Sequence, residues 1–182
     1  TYNISLEDRV IYPRTDVSCP IVYPIIGGVI EPTNFYIVGG DERTYTEDGF
    51  LYKSHTFSST SDLSVSVLSG DQSSILSLEV LLVAGGGGGG SVAGGGGGGG
   101  GGYTIQQTKI RSGSHLVIVG NGGQPDENGF DSSFNFITVK GGGAGGSFGL
   151  SGKDGGSGGG AGQSSLGSGG DGVDGQGTSG GG

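Results

Sequence analysis

Unbroken runs of glycine set the strongest constraint on what this chain can fold into. The 182 residues include 48 glycines, and all but six of them follow residue 84, with continuous runs at 85–90 and 94–102. Glycine-rich tracts are commonly flexible linkers. Here, short apolar strings of the kind that form strands in folded cores precede three glycine-rich stretches. These strings are residues 81–84, 116–119 and 134–139. The recurrence predicts an ordered architecture.

An ordered glycine run is expected to adopt the extended, left-handed threefold helix. This helix rises about 3.1 Å per residue and has no internal hydrogen bonds, so its N–H and C=O groups must bond to other segments. Rods without side chains can approach closely enough to do so, helped by weak Cα–H···O contacts. Collagen uses the same backbone but requires abundant proline, and Pro125 is the only proline after Pro32. We therefore predict a mainly β fold with a packed polyglycine-II sandwich and little or no α-helix.

The spacing of side chains in the C-terminal region favours rods over a linker. Several stretches carry one side chain at every third position, which in a threefold helix places these side chains on one edge. The stretches are 144–147, 154–160 and 168–171. The alternative is that a tail rich in Gly, Ser and Asp produces such triplets by chance.

The composition divides the chain into two parts. We predict a small β-rich segment or connector at residues 1–46, where four prolines separate short, edge-like strands. Residues 47–182 are predicted to form a glycine-rich β/polyglycine-II domain that continues beyond residue 182. Candidate strands, identified by alternating or β-branched apolar residues, are 2–6, 10–12, 21–23, 25–26, 35–38, 50–53, 55–57, 63–68 and 75–84.

Charge and hydropathy exclude several classes of partner. The formal net charge is −9, with only eight Lys and Arg residues, which argues against binding to nucleic acid or to an anionic membrane surface. The longest nearly apolar string, 75–84, is far shorter than the roughly 20 residues of a membrane-spanning helix. We therefore expect no nucleic-acid partner and no membrane insertion. Cys19 is the only cysteine, so the chain has no internal disulfide.

Catalytic patterns are lacking. The only histidines are His55 and His115, and zinc-ligand spacing is not present. No nucleophile elbow occurs in a strand–turn–helix context, and the acidic cluster at 126–131 lacks the spacing of a calcium loop. We predict no enzyme activity, no metal site and no cofactor, and we expect His55 to lie in a strand with a structural hydrogen bond.

An ordered series of motifs resembles the glycine-rich domain of bacteriophage tail fibres and adhesins. The resemblance covers roughly residues 47–182. The motifs are Asp48-Gly49-Phe50, Lys53-Ser54-His55-Thr56-Phe57, Glu79-Val80-Leu81-Leu82-Val83-Ala84 with its glycine run, 94–102 with Tyr103, Val117-Ile118-Val119-Gly120-Asn121-Gly122-Gly123, Gly129-Phe130-Asp131-Ser132-Ser133-Phe134 and Lys140-Gly141-Gly142-Gly143-Ala144-Gly145-Gly146.

The resemblance implies an extracellular virion protein, part of a tail fibre, whose loops bind a bacterial surface protein or glycan. Other virion fibre proteins are the further partners it implies, and a homotrimer and a monomer both stay open as its oligomeric state. The implied recognition loops are 103–114 and 124–133. The candidate receptor-binding residues are Tyr103, Gln124, Asp126, Glu127, Asn128, Phe130 and Asp131.

Two other functions fit the same composition. One is a purely structural virion or cell-surface scaffold, in which the glycine region is a rigid spacer and another chain carries specificity. The other is ice binding, since threefold glycine helices can form flat, regular faces. Ice binding ranks third because threonine is sparse after residue 84.

Overall fold

The chain forms ten strands in the regions described by this computed structural model, which are residues 19–25, 35–47, 50–68, 75–163 and 166–182. No helix occurs in these regions, which confirms the prediction of a mainly β fold. The strands are β1 (Cys19–Ile25), β2 (Phe35–Val38), β3 (Asp41–Glu47), β4 (Phe50–Phe57), β5 (Ser61–Val67), β6 (Leu76–Val83), β7 (Tyr103–Ile110), β8 (Gly113–Ile118), β9 (Ser132–Phe134) and β10 (Ile137–Val139).

These strands make two five-stranded sheets that enclose one hydrophobic core. The first sheet has the order β3-β4-β1-β6-β7 and the second the order β10-β9-β8-β5-β2. All pairs are antiparallel. Alternate residues of β6, namely Leu78, Val80 and Leu82, are buried against Leu63 and Val65 of β5 in the shared core. Alternation of apolar and polar residues therefore determines which face of each strand points inward.

The predicted boundary at residues 46 and 47 falls at the end of β3. Strands from both sides of this boundary share both sheets, because β1 pairs with β4 and β6 and β2 pairs with β5. The predicted strands at 2–6 and 10–12 lie outside the described residues.

Two local predictions were wrong, and one strand was not predicted. The string 134–139 is a hairpin, because Asn135 adopts a positive φ of 55°, a conformation that asparagine tolerates, and this turns the chain between β9 and β10. The expected loop 103–114 is mostly the strand β7 followed by the start of β8. The strand β3 was not predicted, because four of its seven residues are charged. It is stable as a strand because it pairs along its whole length with β4.

The glycine-rich segments pack beside the sheets as a bundle of extended stretches. We call residues 84–102, 120–131, 140–163 and 166–182 the glycine bundle. Its segments bond to one another through the backbone at every third residue. Ala84, Gly87 and Gly90 donate to the carbonyls of Gly102, Gly99 and Gly96, each at 2.9 Å, and the amides of Gly96, Gly99 and Gly102 donate to the carbonyls of Gly146, Gly143 and Lys140, each at 2.8 Å. A β-ladder would instead repeat with the two-residue period of a strand.

The segment 84–90 shows how densely these stretches are connected. It bonds to four other segments, which are 96–102, 127–130, 123–126 and 142–145. The segment 141–146 lies deepest, with every residue buried. Because a flat sheet supplies a strand with only two neighbours, bonding in this many directions defines a three-dimensional bundle.

The bundle leaves room for side chains at about one position in three. At Gly86, Gly89, Gly97, Gly100 and Gly160, an added Cβ would meet no atom closer than 3.6 Å. At most positions between them it would overlap a backbone atom of a neighbouring segment. Where the sequence does place side chains at this spacing, they occupy the same open phase, with Ser151, Asp154 and Ser157 preceding Gly160. Close backbone approach therefore explains why glycine dominates these segments.

One buried serine joins the bundle to the sheets. The Ser132 hydroxyl donates to the carbonyl of Val83 at 2.8 Å and accepts from the amide of Gly120 at 2.9 Å. Ser132 is fully buried at the start of β9, and Val83 and Gly120 are where β6 and β8 lead into the bundle. The ends of β6 and β8 and the start of β9 are thus fixed relative to one another.

We expect Gly98→Val to unfold the bundle and Gly97→Val to be tolerated. A Cβ at Gly98 would overlap the carbonyl oxygen of Gly87, whereas a Cβ at Gly97 meets nothing within 4 Å. Overpacking of this kind typically costs about 1–3 kcal/mol or more. The measurement is the free energy of unfolding of both variants in urea. Equal stability of the two variants would contradict close backbone packing.

Candidate functional site

The glycine bundle has two distinct ends. At one end, which we call the sheet end, the segments continue into strands, and the amide of Tyr103 bonds to the carbonyl of Gln176 at 3.2 Å. At the other, which we call the turn end, the chain reverses at residues 91–94, 124–127 and 147–150, and Gly162 and Gly167 lie beside the third of these turns. Direct contacts place these turns together, since Ser91 bonds to the second and third turns and Gln163 donates to the carbonyl of Gly94 at 2.6 Å.

Asp126 ties the three turns together. Its Oδ1 atom accepts from the Ser147 hydroxyl at 2.6 Å and from the Ser91 amide at 3.1 Å. These hydrogen bonds, led by that from Ser147, lower the pKa of the Asp126 carboxyl. Asp126 itself has a positive φ of 64°, which allows the tight turn at 124–127. The side chain therefore has an internal structural role at the turn end.

Two more of the predicted receptor-binding residues are also engaged within the protein. The Asn128 side chain accepts from the amide of Ala144 at 2.9 Å and donates to the carbonyl of Asp154 at 2.8 Å. Asp131 accepts from Lys140 at 2.8 Å and from the amide of Gly141 at 2.9 Å. Partial burial raises the pKa of Asp131, but these hydrogen bonds outweigh it and the pKa is lowered. Both residues connect neighbouring segments.

The structure divides the remaining predicted residues between the two ends. Gln124 and Glu127 are exposed at the turn end. Tyr103 and Phe130 are 57% and 60% exposed and lie at the sheet end, where the carbonyl of Phe130 accepts from Gly85. The seven residues therefore do not form one continuous surface.

Sequence reasoning missed the exposed apolar side chains of the turn end. Val92, Phe148, Leu150 and Leu166 are 52%, 61%, 60% and 87% exposed. The first three lie on the turns 91–94 and 147–150, and Leu166 precedes Gly167, which lies beside Leu150. The packing places Phe148 beside Gly94, and Leu150 accepts from the amide of Gly162 through its carbonyl. The available signal was that Val92 and Phe148 each follow a glycine run and a single serine.

The two histidines of the chain bond to backbone carbonyls. His55 lies buried in β4, where Nδ1 donates to the carbonyl of Gly39 at 2.8 Å, as predicted. His115 bonds to the carbonyl of Arg111 at 2.8 Å.

Within the described parts of the chain, no group of three or more His, Cys, Asp or Glu could hold a metal ion. The same regions contain no helix of the length and hydropathy that crossing a membrane requires.

Asn128→Ala should destabilise the protein by about 1–3 kcal/mol, because the buried amide of Ala144 would lose its acceptor. Glu127→Ala is the matched control, since this neighbouring exposed side chain should change stability by no more than about 0.5 kcal/mol. Urea unfolding of the two variants gives the comparison. Equal midpoints would show that Asn128 does not hold the segments together.

Acid should loosen the contact between the Ser91 and Asp126 turns. Because the pKa of Asp126 is lowered in the folded protein, its contribution to stability is complete above the unfolded value of about 3.9 and is lost as pH falls through the folded value. The Ser91 amide chemical shift should titrate with a midpoint below 3.8. In the Asp126→Asn variant this titration should disappear; a persistent titration would mean that another group is responsible.

Comparisons with known proteins identify the glycine-rich part of the chain. The family described as a glycine-rich domain matches residues 64–182, which is well over half of the chain. The chain therefore belongs to this glycine-rich domain family. Searches of curated proteins and of solved structures gave no match.

Proposed function

We propose that this glycine-rich protein is an extracellular virion component, part of a bacteriophage tail fibre or adhesin, that binds a bacterial host-cell surface. The observation that carries the proposal is the turn end, where exposed apolar side chains lie on and beside the turns of one bundle. The partner would be a protein or glycan of the bacterial surface, and the sheets would face other fibre proteins. Binding, with no chemical step, is the activity.

The scaffold in this proposal is a polyglycine-II bundle. Two observations support threefold helices: hydrogen bonds between segments recur at every third residue, and positions open to a side chain follow the same period. A threefold helix has this period because its peptide groups return to the same direction after three residues. The side chains at 144 and 147, and at 168 and 171, would then lie along one edge of their rods.

The turn end suits recognition because its shape is set before a partner arrives. Asp126 holds three turns through its hydrogen bonds, and the glycine segments behind them bond in several directions. Ordering loops on binding costs free energy, so loops that are already held bind at a smaller entropic cost. The exposed fractions of Phe148 and Leu150 leave them available for contact.

The turn end differs from an ordinary surface in its apolar character. Exposed apolar residues scattered singly are normal on proteins, whereas a cluster of them marks an interaction site. Here Val92, Phe148 and Leu150 lie on turns that contact each other, and Leu166 precedes Gly167, which lies beside Leu150. They are four of the six large apolar residues of the bundle, the others being Phe130 and Val173.

Cell binding by a paired set of variants tests the function. Fluorescently labelled protein would be incubated with a panel of bacterial strains, together with a Phe148→Ser/Leu150→Ser variant and a Phe136→Ser control. Phe136 is 96% exposed on the β9–β10 hairpin, so the control removes apolar surface away from the turn end. We expect binding to at least one strain by the parent and the control, and at least a tenfold loss, roughly 1.4 kcal/mol or more, in the double variant.

The alternative function as a structural spacer predicts a different result. A folded protein that binds no strain in a broad panel, or that binds equally well without Phe148 and Leu150, would contradict recognition by the turn end. Circular dichroism spectra of each variant would check that the fold is retained. Since both substituted side chains are exposed, stability should change by no more than about 0.5 kcal/mol per site.

A further inference from the structure

The strand β7 is an open edge of the first sheet. The amide of Tyr103 points away from β6, because it donates to the carbonyl of Gln176. In an antiparallel pair, both backbone groups of a residue point to the same side, and this side alternates along the strand. The backbone groups of Ile105, Gln107 and Lys109 therefore also point outward, and within the described part of the chain they form no hydrogen bonds beyond the sheet.

The two edges of this sheet differ in how they are protected. Natural proteins block exposed edges with charged residues, proline or bulges. The edge strand β3 carries four charges in seven residues, at Asp41, Glu42, Arg43 and Glu47. The eight residues of β7 carry only Lys109, contain no proline, and expose half of Ile105. An edge of this length with a single charged residue can accept another strand.

The sequence of β7 is suited to pairing with itself. Gln176 occupies the edge at Tyr103, so the open part is centred on Gln107. A twofold axis through Gln107 would place Ile105 opposite Lys109 of a second copy on both sides of the axis. Three opposed pairs would then exchange about six backbone hydrogen bonds. No like charges face each other directly, and the Gln107 amides meet at the axis, where they can hydrogen-bond.

Charge selects this edge for contact between copies. The chain has a net charge of −9, so two copies repel each other over most of their surfaces. The β3 edge carries three acids and one base, whereas the only charged residue of β7 is a base. Two β7 edges therefore approach without the repulsion that two β3 edges would meet.

We propose that β7 is a self-association surface, through which two copies of this chain join their first sheets into one continuous antiparallel sheet. The contact is isologous, with each copy contributing the same residues, as in most twofold dimers. The turn end of each bundle is not part of the contact, so this inference goes beyond receptor binding and does not depend on it.

A disulfide at the twofold axis tests the geometry. In a Cys19→Ser background, Gln107→Cys would place two cysteines directly opposite each other with Cα atoms about 5.5 Å apart, within the roughly 4.4–6.8 Å that a disulfide spans. We expect most of this variant to form a covalent dimer on mild oxidation. Thr46→Cys is the matched control, since this exposed residue lies on the opposite edge strand, β3, and should remain largely monomeric.

A charge substitution tests the energetics. Ile105→Lys would place a second ammonium group opposite Lys109 of the other copy, and the exposure of Ile105 makes it tolerable in the single chain. Analytical ultracentrifugation of the parent should show a monomer–dimer equilibrium, with the dissociation constant raised at least about tenfold in the variant by like-charge repulsion.

Three results would overturn the proposal. The first is a parent protein that stays monomeric at millimolar concentration. The second is a trimer or larger ring, because isologous β7 pairing closes at two copies. The third is a dimer that survives Ile105→Lys unchanged or that is trapped by Thr46→Cys and not by Gln107→Cys. Whether turn-end variants lose cell binding has no bearing on these three results, because the turn end is not part of the β7 contact.

Discussion

The contact between bare backbones is the interaction on which the rest of the structure depends. A chain so rich in glycine has few side chains to bury, and glycine loses more conformational entropy on ordering than any other residue. The compensation comes from peptide groups that bond in several directions at once, as in the segment 84–90. This bonding requires segments to approach until a Cβ would overlap a neighbouring carbonyl, as at Gly98. Glycine is therefore both the cause of the entropic cost and the condition for the contacts that offset it.

The few polar side chains in the bundle acquire a special role from this arrangement. Where segments end or turn, the regular backbone bonding stops and amides need other acceptors. Asp126, Asn128 and Asp131 accept from the amides of Ser91, Ala144 and Gly141, respectively. Ser132 does the same for Gly120 where the bundle meets the sheets. Side chains that a sequence reader would assign to ligand binding thus connect one segment to the next.

The balance of correct and missed predictions follows from the same physics. Strands with apolar alternation, such as β5 and β6, could be predicted because burial of one face leaves a two-residue pattern. The strand β3 could not, since its residues are charged and its pairing with β4 is a tertiary effect. The hairpin at Asn135 depends on the positive φ of this one residue, and the apolar residues on either side of it give no sign of a turn. The turn end was missed because neighbouring turns at 91–94 and 147–150 are far apart in sequence, and only the bonding between segments brings them together.

The two proposed surfaces make different demands on the fold and are compatible. The turn end lies where the bundle reverses, while the open part of β7 begins beyond Tyr103, at the sheet end. Contact through Gln107 and its neighbours would therefore leave both turn ends of a dimer exposed. If the turn end binds a receptor as proposed, two turn ends on one dimer would bind a surface with many receptors more tightly than one, because the second contact would form at a high effective concentration. A weak recognition surface on each copy can then suffice for attachment, which fits a turn end with few large side chains.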